Sequence, residues 1–291
     1  MIRVAVRADQ VGQRLDRVVM QAIDGLGRGG ARRLFAEGRV FHEDGAVKRP
    51  ARKGDLAREG MVLAIEAAAT LDATPDAEVM LAIVYEDDAF VVIDKPAGMA
   101  SAPLRPGERG TAASGLVHRY PEMAEIGFSR REPGLCHRLD EDTSGLLVAA
   151  RTRVAFEAFT VALSRGEVDK RYLAVVAAGV LDEAGEMVSG LAPDPGDRRR
   201  VVVSEEPPER RSSYRVVRRG RHDLVEVAAS PAYRHQVRVH LAARGAPIVG
   251  DTLYGGLEVE GLARHALHAS VVVFRDLSLA SALPADLEAL L

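Results

Sequence analysis

Residues 137–150 read His-Arg-Leu-Asp-Glu-Asp-Thr-Ser-Gly-Leu-Leu-Val-Ala-Ala, a polar stretch followed directly by an apolar one. The five apolar residues 146–150 predict a buried strand, because a short continuous apolar run is typical of a strand inside a core. Asp140 then lies where a loop enters this strand, and a core element can hold a functional side chain rigidly. The alternative interpretation is a solvated surface loop with a local ion pair, since most exposed charge pairs contribute little to stability.

The stretch around Asp140 resembles the catalytic motif of the RluA-type pseudouridine synthases, enzymes that isomerise uridine in structured RNA. Further stretches resemble motifs of this family in the same order along the chain. They are Val-Val-Ile-Asp-Lys-Pro-Ala-Gly (91–98), Lys-Arg-Tyr-Leu-Ala (170–174), His-Gln-Val-Arg-Val-His (235–240) with Gly250-Asp251 and Tyr254-Gly255, and Arg-His-Ala-Leu-His-Ala (264–269). The resemblance covers residues 81–276 and implies the pseudouridine synthase fold, an α+β fold with a central mixed, largely antiparallel sheet.

The resemblance also implies roles for individual side chains. Asp140 matches the catalytic carboxylate, Arg238 matches the arginine that pairs with it, and Tyr172 matches the aromatic residue that stacks on the base and takes part in proton transfer. The substrate-binding positions implied by the same motifs are His137, Arg138, Leu139, Thr143, Ser144, Lys95, His235, Gln236 and Leu267. Whether Asp140 attacks the sugar or the base stays open.

The reaction of this family explains why these residue types are needed. The glycosidic bond to nitrogen breaks, the base turns over, and the same sugar carbon bonds to carbon 5, with no redox change and no added atom. We therefore expect no cofactor. The chemistry needs an ionised carboxylate, a neighbouring cation that keeps the pKa of this carboxylate low, and a pocket for an unstacked base. No metal site is expected, because the histidines do not match a metal-binding spacing.

Composition indicates a globular protein. The chain has 291 residues, 47% of them hydrophobic, which is enough for a sizeable core. No apolar run reaches membrane-spanning length, and the N-terminus does not resemble a signal peptide. The single cysteine, Cys136, excludes an internal disulfide and is expected to be a small packed side chain rather than a thiol nucleophile. We expect a cytoplasmic monomer without membrane association.

Positive charge is concentrated at the N-terminus, although the net charge of the chain is −3. Residues 1–60 contain 13 Lys or Arg against 8 Asp or Glu, a balance of +5 that the rest of the chain more than offsets. A second basic stretch runs from Arg198-Arg199-Arg200 to Arg221. Both stretches could neutralise RNA phosphates. The alternative for the second stretch is an arginine-rich hairpin that faces solvent.

The chain is predicted to contain two domains. A stretch of small and polar residues with one proline, 68–80, predicts a linker between a domain at 1–67 and a catalytic domain at 81–291. In the first domain the sequence predicts strands at 2–6, 39–41 and 61–65 and helices at 14–23 and 31–37. This small α+β unit resembles the alpha-L type RNA-binding domain, with matching points at 12–16, 38–40 and 53–55.

Helices and strands of the catalytic domain are mixed without a regular βαβ repeat, which favours an α+β sheet. Strands are predicted at 81–85, 89–93, 170–178, 212–218, 224–229 and 267–274, and helices at 111–120, 153–164 and 233–243. Ser230 is the predicted cap of the last helix. Residues 183–210 are charge-rich, and we expect them to form an irregular loop over the active cleft.

The sequence therefore predicts an RNA pseudouridine synthase that acts on structured RNA, with ribosomal RNA as the first candidate and transfer RNA as the second. An inactive RNA-binding protein of the same fold is the alternative, against which the intact set of Asp140, Tyr172 and Arg238 argues. A glycoside or nucleoside hydrolase would need a second catalytic carboxylate. No such carboxylate is identifiable in the sequence.

Overall fold

The computed structural model describes residues 1–23, 26–45, 47–66 and 71–291. The chain divides into two compact units, Met1–Thr70 and Leu71–Leu291. The first part of the predicted linker, 68–70, lies outside the described residues. Residues 71–80 belong to the second unit, where Asp76 is buried and accepts hydrogen bonds from Arg109 and from the backbone N–H of Gly110. Small and polar residues here indicate the absence of a helix or strand, not the absence of packing.

The first unit combines two helices with a four-stranded antiparallel sheet. Its elements are β1 (Ile2–Ala5), α1 (Leu15–Ala22), α2 (Arg28–Ala36), β2 (Val40–Asp44), β3 (Val47–Pro50) and β4 (Val62–Ile65), and the strand order is β1-β4-β2-β3. Leu15 and Val18 of α1 pack with Leu34 of α2 and Leu63 of β4, as the amphipathic pattern of α1 predicted. α2 begins three residues earlier than predicted, after Gly27, which provides no side-chain cap.

The second unit is built on one large sheet. Its elements are β5 (Ile83–Glu86), β6 (Phe90–Lys95), α3 (Ala112–Arg119), β7 (Ser144–Ala150), α4 (Arg153–Ser164), β8 (Asp169–Ala177), β9 (Ala184–Pro193), β10 (Val201–Ser204), β11 (Glu209–Arg218), β12 (His222–Ala228), α5 (Gln236–Ala243), β13 (Leu267–Phe274), β14 (Leu277–Ala280) and α6 (Ala285–Glu288). The strand order is β10-β9-β11-β12-β8-β13-β7-β6-β5, with β14 paired to β13. The pair of β13 and β7 is parallel and the other pairs are antiparallel. The predicted mixed, largely antiparallel sheet is confirmed.

β7 separates two hydrophobic cores. Its seven residues are all buried, and successive side chains point to opposite faces of the sheet. Leu147 therefore joins the core that also contains residues of α3 and α5, whereas Leu146 and Val148 pack under α4. The buried strand that the apolar run predicted is confirmed, and it places the 137–143 loop at its N-terminal end.

Two predictions for the second unit are wrong. Residues 183–210 are not an irregular loop, because β9 and β10 form a hairpin that pairs with β11. β11 begins at Glu209, three residues before the strand predicted at 212–218, because the exposed charges of its first residues resemble a loop. The helix predicted at 233–243 begins at Gln236, because His235 adopts a left-handed conformation with φ of 57°. Ser230 is not its cap, since the Gln236 side chain accepts the hydrogen bond of the Tyr233 N–H.

Phe159 is the central side chain of the core beneath α4. It is fully buried, and its ring contacts Phe274 with a centroid distance of 4.9 Å and Phe90 at 6.0 Å. We predict that Phe159→Ala lowers the free energy of unfolding by about 3–5 kcal/mol, because the surrounding rings cannot fill the cavity. The measurement is chemical denaturation followed by circular dichroism.

Val154→Ala is the matched control for this prediction. Val154 lies on the same helix but is 79% exposed, so the change in unfolding free energy should stay within about 0.5 kcal/mol. An equal decrease in the free energy of unfolding in Phe159→Ala and Val154→Ala would contradict the central position of Phe159 in this core.

Candidate active site

The loop 137–143 is held in place by Ser101 at Leu139. Ser101 Oγ accepts a hydrogen bond from the backbone N–H of Leu139 at 3.0 Å and donates to its carbonyl oxygen at 2.7 Å. The backbone N–H of Thr143 donates to the carbonyl oxygen of Asp140 at 3.1 Å, which closes a turn on the other side. The backbone is therefore constrained on both sides of Asp140.

Lys95 supports the same loop and does not line the cleft. Its side chain is fully buried, and Nζ donates to the carbonyl oxygens of Pro96, Met99 and Glu141 at 2.8, 2.7 and 2.9 Å. Burial lowers the pKa of Lys95 to about 8. The expected substrate-binding role is not supported, because all three N–H donors of the ammonium are used within the protein.

Gly145 allows β7 and β13 to approach closely. It has a φ of 112°, a conformation that favours glycine, and a Cβ built there would lie 2.2 Å from the carbonyl oxygen of Ala269. Its position opposite Ala269 in the parallel pair sets where the preceding loop leaves the sheet.

Arg238 joins the loop to the rest of the site by bridging two carboxylates. Nη1 donates to Asp140 Oδ2 at 2.9 Å, while Nε and Nη2 donate to the two oxygens of Asp251 at 2.7 Å each. The ring centroid of Tyr254 lies 5.0 Å from the guanidinium carbon. The predicted contact between Asp140 and Arg238 is confirmed. Two parallel hydrogen bonds to the Asp251 carboxylate orient the guanidinium, because such a fork fixes geometry as well as charge.

Asp140 combines a low pKa with access to the cleft. Burial raises the pKa of this carboxyl, but the charges of His235 and Arg238 outweigh burial, so the net shift is downward. Burial also lowers the pKa of His235. Arg238 is therefore the partner that keeps its positive charge at neutral pH. The Asp140 side chain remains 26% exposed, so the ionised carboxylate can meet a ligand.

Asp140 lies in an open cleft of about 1710 Å³. The predicted site residues that line it are His137, Arg138, Leu139, Asp140, Thr143, Tyr172, His235, Gln236, Arg238 and Leu267. They come from the 137–143 loop, β8, α5 with the residue before it, and the start of β13. The cleft exceeds the usual size of a small-molecule pocket. It therefore suits a macromolecular ligand that inserts one group.

Two predicted substrate-binding residues use their polar atoms inside the protein. Ser144 does not line the cleft, and its hydroxyl lies 3.0 Å from Nδ1 of the buried His268. Gln236 reaches the cleft surface, but its amide accepts from the Tyr233 N–H and donates to the carbonyl oxygen of Arg211. Both residues support the site rather than face a ligand.

Three residues of the site were given no role by the sequence analysis. Besides Asp251, they are Tyr254, whose hydroxyl lies 2.8 Å from His235 Nδ1, and His265, whose Nε2 lies 2.7 Å from Thr143 Oγ1. Burial lowers the pKa of His265 to about 4, so this ring is neutral. All three lie within motif segments quoted from the sequence, but only the fold shows what they contact.

Most arginines of the second basic stretch are ion-paired. Arg211, Arg215, Arg218 and Arg219 pair with Glu186, Glu226, Glu288 and Glu183, respectively. This pattern favours the interpretation as a solvated hairpin for these residues. In the turn between β9 and β10, Arg198, Arg199 and Arg200 line the cleft, although Arg199 pairs with Asp197 and Arg200 with Asp194.

Comparison with known proteins identifies the family. A family model described as RNA pseudouridylate synthase matches residues 89–243, more than half of the chain. The chain belongs to this family. A relative in Xanthomonas campestris pv. campestris, named ribosomal large subunit pseudouridine synthase D, is 34% identical and covers 94% of this chain and 85% of its own. An RNA pseudouridine synthase of Chloroflexus aurantiacus, named as uncharacterized, is 36% identical and covers 99% of this chain and 92% of its own.

Solved structures agree with this membership of the RNA pseudouridylate synthase family at the level of the fold. Human RNA Pseudouridylate Synthase Domain Containing 1 aligns with a TM-score of 0.57 at 24% identity, covering 74% of this chain and 89% of its own. Within the described ranges, no helix is both long and apolar enough to cross a membrane.

The arrangement around Asp140 predicts a measurable pKa change in this pseudouridylate synthase. Arg238→Met removes the permanent positive partner while the carboxyl stays partly buried, so the pKa of Asp140 should rise by at least about one unit. Ionisation of Asp140 would then be lost first at acid pH. Titration of the labelled carboxyl carbon by nuclear magnetic resonance measures the shift.

Arg138→Met is the control, because Arg138 lies in the same loop but pairs with Glu132. It should leave the Asp140 pKa unchanged. An unchanged pKa in Arg238→Met would show that the guanidinium does not set the charge of this carboxylate.

Proposed function

We propose that this chain converts specific uridines of ribosomal RNA to pseudouridine, with Asp140 as the catalytic carboxylate. The observation that carries the proposal is the contact of Asp140 with Arg238 in an open cleft, at 2.9 Å, in a member of the RNA pseudouridylate synthase family. An ionised carboxylate beside a fixed cation is the arrangement that the isomerisation needs.

Each group of the site has a distinct part in this proposal. Asp140 acts as nucleophile or electrostatic partner while the bond between the sugar and the base nitrogen breaks. Arg238, held by Asp251, keeps the carboxylate ionised and oriented. Tyr172 is buried on β8 and lines the cleft. Its ring stacks on the target uracil after this base has left the base stack of the RNA. The sugar carbon then bonds to carbon 5, the proton of carbon 5 leaves, and the base nitrogen freed from the sugar takes up a proton, so no atom is gained or lost.

Ribosomal RNA is the proposed substrate, with transfer RNA as the second candidate. Relatives in Xanthomonas campestris pv. campestris and Pseudomonas aeruginosa, each 34% identical, are named ribosomal large subunit pseudouridine synthase D. We further propose that the chain acts as a cytoplasmic monomer. The intact Asp140 and Arg238 pair disfavours the alternative of an inactive RNA-binding protein.

The first unit is proposed to bind RNA. Arg28, Arg32 and Arg33 are exposed on α2 and form no ion pair with another described residue. A helix with several unpaired cations can contact phosphates without reading sequence.

Asp140→Asn should abolish conversion, because it keeps the size of the side chain but removes the charge. Binding to RNA should change by less than about tenfold, since phosphate contacts dominate affinity. The assay uses unmodified large-subunit ribosomal RNA transcribed with uridine tritiated at carbon 5, in which isomerisation releases the label. A hydrolase would instead release labelled uracil.

Asp142→Asn is the matched control, because Asp142 also lines the cleft but forms no ion pair with a described arginine. Its turnover should stay near that of the wild type. Substantial turnover by Asp140→Asn would end the catalytic role of Asp140.

Removal of residues 1–70 should leave a folded second unit that binds long RNA more weakly and with less salt dependence. Each lost phosphate contact reduces the slope of log affinity against log salt by about 0.9 on double-stranded sites. Fluorescence anisotropy at several salt concentrations measures this slope. The full-length variant Arg28→Gln/Arg32→Gln/Arg33→Gln should reproduce part of the change, and an unaltered slope in both proteins would contradict RNA binding by the first unit.

A further inference from the structure

Lys170 is a buried cation that the site described above does not use. It precedes Tyr172 by two positions on β8, so both side chains point to the same face of the sheet. Both line the cleft that contains Asp140, and Lys170 is only 5% exposed. The chain has 4 lysines among its 39 basic residues, so a lysine at the cleft is unusual for this protein.

Among the described residues, the one side-chain atom within hydrogen-bonding distance of the Lys170 ammonium is His137 Nδ1, at 3.4 Å from Nζ. His137 Nε2 accepts a hydrogen bond from the backbone N–H of Val148 at 3.2 Å. Burial, aided by the charge of Lys170, holds the pKa of His137 well below its ordinary value, so the ring is neutral. A neutral ring that accepts at Nε2 carries its proton on Nδ1. Nδ1 is therefore a donor and cannot accept from the ammonium.

No carboxylate compensates this charge within the described part of the chain. Lys170 forms no ion pair there, and its other contact is the ring of Tyr172, with a centroid distance of 5.5 Å. Lys95 shows the contrast, because its buried ammonium is satisfied by three carbonyl oxygens. A buried charge without an acceptor is costly. The ammonium of Lys170 is therefore free to bind an acceptor that enters the cleft.

We propose that Lys170 is a catalytic residue whose ammonium binds a carbonyl oxygen of the target uracil and stabilises the negative charge on the departing base. The inference rests on the proposed function. When the bond between the base nitrogen and the sugar carbon breaks, its electron pair remains on the uracil ring, and the charge spreads to the two carbonyl oxygens. The charge disappears when carbon 5 bonds to the sugar carbon. Lys170 supplies charge and transfers no proton.

The position of Lys170 fits this role better than contact with a phosphate. The proposed stacking of uracil on Tyr172 brings the base to the ring beside which the ammonium lies. A fixed cation in a largely desolvated site is more effective than the same cation in water. The ammonium of Lys170 is therefore most effective beside the uracil, where negative charge develops during the reaction.

The main test compares Lys170→Met with the wild type on unmodified ribosomal RNA. Loss of one such donor should lower kcat by about 100-fold or more. The Kd for RNA should change by less than about threefold, because no phosphate contact is lost. Lys170→Arg, which keeps the charge with another shape, should recover part of the rate. A rise in Kd with unchanged kcat would instead identify a phosphate contact and overturn the proposal.

Arg171→Met is the matched control. Arg171 is the next residue of the same strand, lies on the opposite face, and pairs with Asp169. It removes the same charge without approaching the cleft, so kcat should stay at the wild-type value. Thermal unfolding identifies any variant that folds poorly, and Lys170→Gln repeats the comparison if Lys170→Met unfolds early.

A second measurement does not depend on turnover. Barbiturate is a planar pyrimidine that is anionic at neutral pH, whereas uracil is neutral. In Asp140→Asn, which lacks the competing carboxylate, titration by nuclear magnetic resonance should show tighter binding of barbiturate than of uracil. Adding Lys170→Met should remove this preference, and an equal preference in both proteins would overturn the proposal. If the wild type converts no uridine, the proposed function fails, while this preference still decides the role of Lys170.

Discussion

The guanidinium of Arg238 connects three parts of the second unit that are distant in sequence. Arg238 lies on α5 and donates to Asp140 in the loop before β7. It also donates to Asp251, which lies in the segment between α5 and β13. A buried cation with two carboxylate partners is stable only when all three keep their geometry, because loss of one partner leaves an uncompensated charge. The 137–143 loop, α5 and the turn that contains Asp251 therefore depend on one another for their geometry.

The two buried lysines show that burial alone does not define the role of a cation. Lys95 donates to three carbonyl oxygens and fixes the backbone beside Asp140, so its charge is compensated within the fold. Lys170 lies against a histidine whose near nitrogen is a donor, so its charge has no partner of this kind. The same residue type thus supports the loop at one position and faces the cleft at the other. The available acceptors make the difference.

Ion pairing within the protein also decides which arginines are available to bind RNA. The arginines of β11 and the residues after it are mostly paired with glutamates, so they offer little free charge to RNA. Unpaired arginines occur on α2 of the first unit, and further arginines line the cleft in the turn between β9 and β10. Net charge therefore understates what this chain can offer to a polyanion, because local pairing decides which cations are available.

The sequence by itself determined the elements whose signal is local. α4 runs from Arg153 to Ser164 as predicted, because Thr152 caps it and its apolar residues recur with helical period. The apolar run 146–150 marked β7, because a short continuous apolar run is typical of a buried strand. The resemblance of the motifs to those of the pseudouridine synthases implied the fold class and the pairing of Asp140 with Arg238. These features depend on residues that are adjacent or on motifs that are recognisable one at a time.

Only the tertiary structure decided the features that depend on distant partners. β9, whose sequence Ala-Gly-Glu-Met-Val-Ser-Gly-Leu-Ala-Pro has little strand preference, became a strand because it pairs with β10 on one side and β11 on the other. α5 starts at Gln236 because that side chain binds the backbone before it, and Lys95 became a support because three carbonyl oxygens surround it. The role of a polar side chain is set by the donors and acceptors that folding brings to it, and sequence spacing does not contain that information.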